Sequence, residues 1–79
     1  MERVKQEQLY ELIANMVGVE VEEIKPESEF MADFNATYEE IGKLLTAIGE
    51  RFGLDLGRVN PKSLAKVKNL IEAVEEAEL

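Results

Sequence analysis

Cysteine, histidine and tryptophan are absent from these 79 residues, and proline occurs only twice. Without cysteine there is neither a disulfide framework nor a thiolate metal site. Without histidine as well, zinc would have to be held by carboxylates alone, an unusual donor set for that ion. We therefore expect no metal. Serine–histidine catalysis lacks its base, and cysteine–histidine catalysis lacks both partners. No general-base cluster stands out from ordinary surface carboxylates, so no enzyme is expected. Basic residues are scarce too: 9 Lys and Arg against 17 Asp and Glu leave a net charge of −8. That balance argues against a phosphate backbone as partner and favours a basic surface on a protein. No run approaches the roughly 18 apolar residues of a membrane span. No basic-then-apolar leader precedes the first helix, so a cytoplasmic or organelle-matrix protein without membrane insertion is expected.

What is present is 46% hydrophobic residues, enough to fold as one small helical domain over residues 1–79 rather than remain disordered. A first helix is predicted from about Arg3 to Val17, with Val4, Leu9, Leu12, Ile13, Met16 and Val17 on one stripe, Tyr10 beside it and Gly18 as its stop. From Val19 to Asp33 no helical period survives, and the stretch is read as an acidic loop anchored by Val19, Val21 and Ile24. So long a loop in so small a domain has to be pinned, and Ile24 and Phe30 are the expected pins.

The firmest element lies between Asp33 and Phe52. Asn35 suits a left-handed turn, and Thr37 with Glu40 three residues on makes a capping box. Behind it Tyr38, Ile41, Leu45, Ile48 and Phe52 recur at steps of three and four, and Gly53 follows as the stop. After Gly57, Asn60-Pro61 signals a short helical turn over Pro61 to Leu64. A last helix carries Leu64, Val67, Leu70, Ile71 and Val74, with a tail from Glu72 to Leu79 expected to fray. Three main helices plus one short helix give an all-α bundle.

The ordered set of motifs resembles the acyl carrier protein family. Gly18-Val19-Glu20-Val21-Glu22-Glu23-Ile24 is similar to its first-loop pattern, and Phe30 stands where the family has a Phe a few residues before the Asp of its next motif. Phe52, Leu54 and Leu56 are similar to the end of its second helix, and Val67, Ile71 and Val74 to its last. The resemblance covers nearly the whole chain without gaps and implies an acyl-carrier-like bundle. At the start of the second helix the family pattern is Asp-Leu-Gly-x-Asp-Ser-Leu, whose Ser carries the phosphopantetheine arm. Here those positions read Asp33, Phe34, Asn35, Ala36, Thr37, Tyr38 and Glu39. Tyr38 thus occupies the acceptor position, and no cofactor is expected unless the carrier role persists at an atypical site.

Thr37 is the nearest hydroxyl, but capping explains it. Tyr38 has two readings, a ring that covers the bundle end or part of a partner surface, where exposed Tyr is enriched. The family docks enzymes through an acidic outer face of this helix; here Lys43 replaces a usual Glu and Glu39 a Leu. Thr37, Tyr38, Glu39, Lys43 and Glu50 are the candidate partner-binding residues. The expected function is a non-catalytic, accessory or regulatory protein acting on an unidentified protein partner. The alternatives are an acyl carrier in fatty-acid, lipid or polyketide-type synthesis with an atypical attachment site, at Thr37 or elsewhere, and a non-covalent acyl-chain binder lined by Met16, Phe30, Phe34 and Phe52. Gly42, Thr46 and Gly49 form a small-residue strip, read as close approach by a neighbouring segment. The basic stretch Arg58, Lys62, Lys66 and Lys68 is expected to pair with the acidic loop and help pin it.

Overall fold

Wherever apolar residues keep a helical period for three turns, a helix forms. In a computed structural model describing residues 6–78, the helices are α1 (Gln6–Val17), α2 (Phe30–Phe34), α3 (Tyr38–Phe52) and α4 (Val67–Ala77). Two 3-10 turns, Val21–Glu23 and Pro61–Ser63, complete the chain order. No strand occurs among the described residues; a lone antiparallel bridge joins Glu29 to Lys66. Arg3, Val4 and Lys5, predicted in the first helix, lie outside the described residues.

The helix ends follow local chemistry. Thr37 Oγ1 accepts the Glu40 N–H at 3.2 Å, and Glu40 Oε1 accepts the Thr37 N–H at 2.8 Å, so two otherwise orphaned donors at the start of α3 are satisfied. Gly18 (φ 79°) and Gly53 (φ 68°) stop α1 and α3 in the left-handed conformation. In each case two successive N–H groups share one carbonyl, that of Ala14 or of Gly49. Asn35 closes α2 in the same way at φ 57°. Asn60 caps the Pro61–Ser63 turn, its Oδ1 accepting the Lys62 N–H at 3.0 Å.

The core gathers Leu9, Ile13 and Ala14 from α1, Phe30 and Phe34 from α2, four residues of α3 (Ile41, Leu44, Leu45 and Ile48), and Val67, Leu70 and Val74 from α4. Each such Leu, Ile or Phe contributes about 1.5–3 kcal/mol by leaving water. Ile24, Ala36, Leu56 and Leu64 bring the connections into the same cluster. Phe30 and Phe34 meet edge to face, with ring centroids 6.1 Å apart and planes at 69°, a favoured aromatic geometry.

Several expectations change. The stretch from Val19 to Asp33 is not all loop: it contains a 3-10 turn and most of α2. Val21 is exposed rather than an anchor, Val19 is half-buried, and Ile24 and Phe30 are buried pins as expected. Met16 is 40% exposed, and Ala14 takes the inward place on α1. Past Val74 the described residues stay helical: α4 runs on to Ala77, which packs against the core, and Glu72, Ala73, Glu75, Glu76 and Ala77 are mostly strong helix formers; Leu79, the end of the tail expected to fray, lies outside the described residues. Among the described residues no ion pair joins the basic stretch to the acidic loop. Backbone bonds tie them instead: Phe30 N–H to Ala65 at 3.1 Å, Val67 N–H to Ser28 at 2.9 Å and Lys68 N–H to Pro26 at 2.9 Å. Directional bonds between ordered backbones hold better than flexible charges in water.

Candidate functional site

The capping box fixes where α3 begins, and with it the direction of each side chain in the first turns. Tyr38 is the first helical residue and is 45% exposed. The Lys62 ammonium lies 5.9 Å from its ring centroid, within cation–π range. Thr37 is exposed, but its oxygen is engaged in the cap.

Glu39 and Lys43 form an ion pair at 3.8 Å, with side chains 81% and 69% exposed. Solvent screening leaves such a pair worth little, yet it cancels local charge. Glu50 follows Glu39 by three turns, about 16 Å along the axis and within roughly 20° of the same direction. Tyr38 points roughly 100° away from Glu39 around the helix. The five candidate residues therefore divide: Glu39, Lys43 and Glu50 share the outer face, whereas Tyr38 belongs to the edge facing the Pro61–Ser63 turn.

At that edge sit two residues the sequence reading did not connect with Tyr38. Met31 of α2 is 44% exposed, and Lys62 comes from the 3-10 turn. With Tyr38 they border a cleft of about 120 Å³ floored by Ile41 and Leu64. Its lining is drawn from Glu29 to Ala65, and no local pattern joins these residues. The available signal was Asn60-Pro61, which fixes where Lys62 emerges.

The small-residue strip has a packing cause. A Cβ on Gly49 would stand 2.9 Å from the Leu54 carbonyl oxygen, and one on Gly42 would meet Pro61 Cγ at 3.7 Å. The segment after α3 runs against this side of the helix, leaving a groove of about 500 Å³ bordered by Gly42, Thr46, Glu50 and Val59.

The four aliphatic hydroxyls of the sequence are Ser28, Thr37, Thr46 and Ser63, and each is engaged locally. Ser28 Oγ accepts the Lys25 N–H at 3.0 Å, Thr46 Oγ1 donates to the Gly42 carbonyl at 3.2 Å, and Ser63 Oγ donates to the Asn60 carbonyl at 2.7 Å. Thr37 completes the set through its cap. At the start of α3 the hydroxyls are a secondary alcohol and a phenol. Neither is the primary hydroxyl of a serine. No described cluster of acidic side chains could hold a metal ion. No described helix is long and apolar enough to cross a membrane. Of the four residues expected around an acyl chain, Phe30 and Phe34 pack edge to face, Phe52 is half-buried, and Met16 is 40% exposed.

Comparison with known proteins follows the fold. No family model matches the chain. A protein named acyl carrier protein from Nitratidesulfovibrio vulgaris strain DP4 is 32% identical over 69 residues, covering 87% of this chain and 91% of the relative. A namesake from Nitratidesulfovibrio vulgaris strain DSM 19637 / Miyazaki F is 30% identical over 66 residues, covering 84% and 87%. Another from Solidesulfovibrio magneticus is 27% identical over 70 residues, covering 89% and 90%.

Proposed function

The chain belongs to the acyl carrier protein family, and from that premise we propose a divergent, non-catalytic member that acts by docking to other proteins and no longer takes the family's arm. It works as one cytoplasmic helical domain, an accessory or regulatory partner presenting the start and outer face of α3. The observation that carries this reading is the side chain at the first position of α3: a tyrosine, half in water, with a lysine ammonium against its ring. A rigid aromatic ring places its oxygen several bonds beyond where a serine hydroxyl would stand. Thr37, Tyr38, Glu39, Lys43 and Glu50 are the proposed contact residues.

The name shared by the relatives favours a second reading over this one: that the chain remains an acyl carrier with an atypical attachment site. Thr37 would then be the attachment point. Its oxygen already closes the capping box, so attachment there would give up part of what holds the helix start, about 1 kcal/mol.

Incubation with coenzyme A and the host's phosphopantetheinyl transferase, followed by intact mass, separates the two. On the docking reading the wild type stays unmodified while Tyr38→Ser gains the arm. A gain by the wild type, mapped to Thr37, establishes the carrier reading instead. A revertant that also stays unmodified would show that the surrounding surface has diverged as well.

A further inference from the structure

The starts of α2 and α4 meet, and each supplies what the other lacks. Glu29 and Lys66 occupy the N-cap positions of these helices, and neither side chain caps its own helix. The two residues face each other across the lone antiparallel bridge. There the Ala65 carbonyl accepts the Phe30 N–H at 3.1 Å, while the Ser28 and Pro26 carbonyls accept the Val67 and Lys68 N–H groups, both at 2.9 Å. These N–H groups are donors that a helix start leaves orphaned, and in each case the opposite segment satisfies them. Helix α3 is built differently, since Thr37 caps it from within.

Side chains steady the junction in the same symmetric way. Asp33 Oδ2 accepts the Glu29 N–H at 2.7 Å, and Asn69 Oδ1 accepts the Lys66 N–H at 3.0 Å. Each bond fixes the N-cap residue of one helix and so aims the backbone that caps the other. The segment from Lys25 to Ser28 is a compact strap, its Lys25 carbonyl accepting the Ser28 N–H at 2.9 Å and its Ser28 Oγ accepting the Lys25 N–H at 3.0 Å. Ile24, buried in the core, anchors the strap at one end. Phe30 and Val67, fully buried, anchor the junction itself.

We propose that the strap, α2 and the first turn of α4 form one latch, which opens as a unit while α1 and α3 stay folded. Because the caps are reciprocal, parting the two segments returns backbone donors on both sides to water at once, so neither helix start is released alone. Cooperative units smaller than the whole domain are a usual level of opening. A partner that prefers the open or the closed form would shift both helix starts together, so that contact at α2 is felt in α4. The latch does not depend on the docking reading.

Amide hydrogen exchange read by NMR on the full chain, in water and in low urea, tests this. The Phe30, Val67 and Lys68 amides should exchange through one opening, with a common urea dependence smaller than that of the Leu44, Leu45 and Ile48 amides of α3, because less surface is exposed. Two variants then probe the coupling from either side. Asn69→Ala removes the acceptor of the Lys66 N–H and should speed exchange of the Phe30 amide about fivefold, the range of a lost helix cap. Asp33→Ala removes the acceptor of the Glu29 N–H and should speed the Val67 and Lys68 amides by a similar factor. An effect confined to the helix that carries the substitution overturns the proposal, because the two starts would then open independently. A urea dependence in the wild type equal to that of the α3 amides also overturns it, because the junction would then open only when the whole domain unfolds.

Discussion

Replacing glycine by alanine inside a helix ordinarily stabilises it by about 1 kcal/mol. At Gly49 we predict the opposite. The added Cβ would stand 2.9 Å from the Leu54 carbonyl oxygen, a backbone atom that cannot swing aside. The Leu54 N–H is bonded at 2.9 Å to the Gly49 carbonyl, and the Gly53 N–H bonds the same oxygen. Moving Leu54 away therefore strains the turn that closes α3. Overpacking of this kind costs about 1–3 kcal/mol, which outweighs the propensity gain, so Gly49→Ala should lose about 1 kcal/mol net. Gly42 provides the control on the same helix. Its nearest neighbour would be Pro61 Cγ at 3.7 Å, an ordinary contact, so Gly42→Ala should gain up to about 1 kcal/mol. The two variants should then differ by about 2 kcal/mol, or roughly 8–16 °C in Tm for a domain of this size. Urea unfolding followed by helix signal, with an unchanged m value, measures the difference. If Gly49→Ala stabilises as much as Gly42→Ala, close approach is not why glycine stands there.

Thr37→Ala should lower stability by about 1 kcal/mol, because it removes the oxygen that accepts the Glu40 N–H at the start of α3; urea midpoints check this. Phe30→Ala removes a fully buried ring that packs edge to face on Phe34, with an expected cost of about 3–5 kcal/mol. Against the usual 5–15 kcal/mol of total stability, calorimetry should find the transition shifted far down or lost. Asn35 holds a left-handed conformation at φ 57°; Asn35→Ala should cost about 1 kcal/mol and Asn35→Gly close to nothing, both read from thermal unfolding.

The long helices were legible because their apolar period runs for three turns or more, and the cap at Thr37 because hydroxyl and carboxylate stand three residues apart. Helix α2 was not, since five residues between Glu29 and Asn35 are too few to show a period. Phe30 and Phe34 alone, four apart and both buried, carried the hint. Reading by size misassigned Met16 and overlooked Ala14, whose small side chain lies inward where the chain turns back at Gly18. Leu44 was missed for a related reason: the stripe on α3 is wider than the steps of three and four first traced through Leu45. Opposite charges between the acidic loop and the basic stretch suggested ion pairs, yet backbone donors join the segments, and sequence carries no direct sign of those. At the site, Thr37, Glu39 and Lys43 were placed correctly on the helix start, but the neighbours of Tyr38 come from α2 and a 3-10 turn. Only the folded chain brings them together.

The decisive measurement is the intact mass of the protein purified from its own cells. A protein that docks without the arm should have the mass of its sequence alone, in every fraction. Additional mass equal to phosphopantetheine, with or without an acyl group, would contradict the reading at once. It would return the chain to the role that its relatives' name describes.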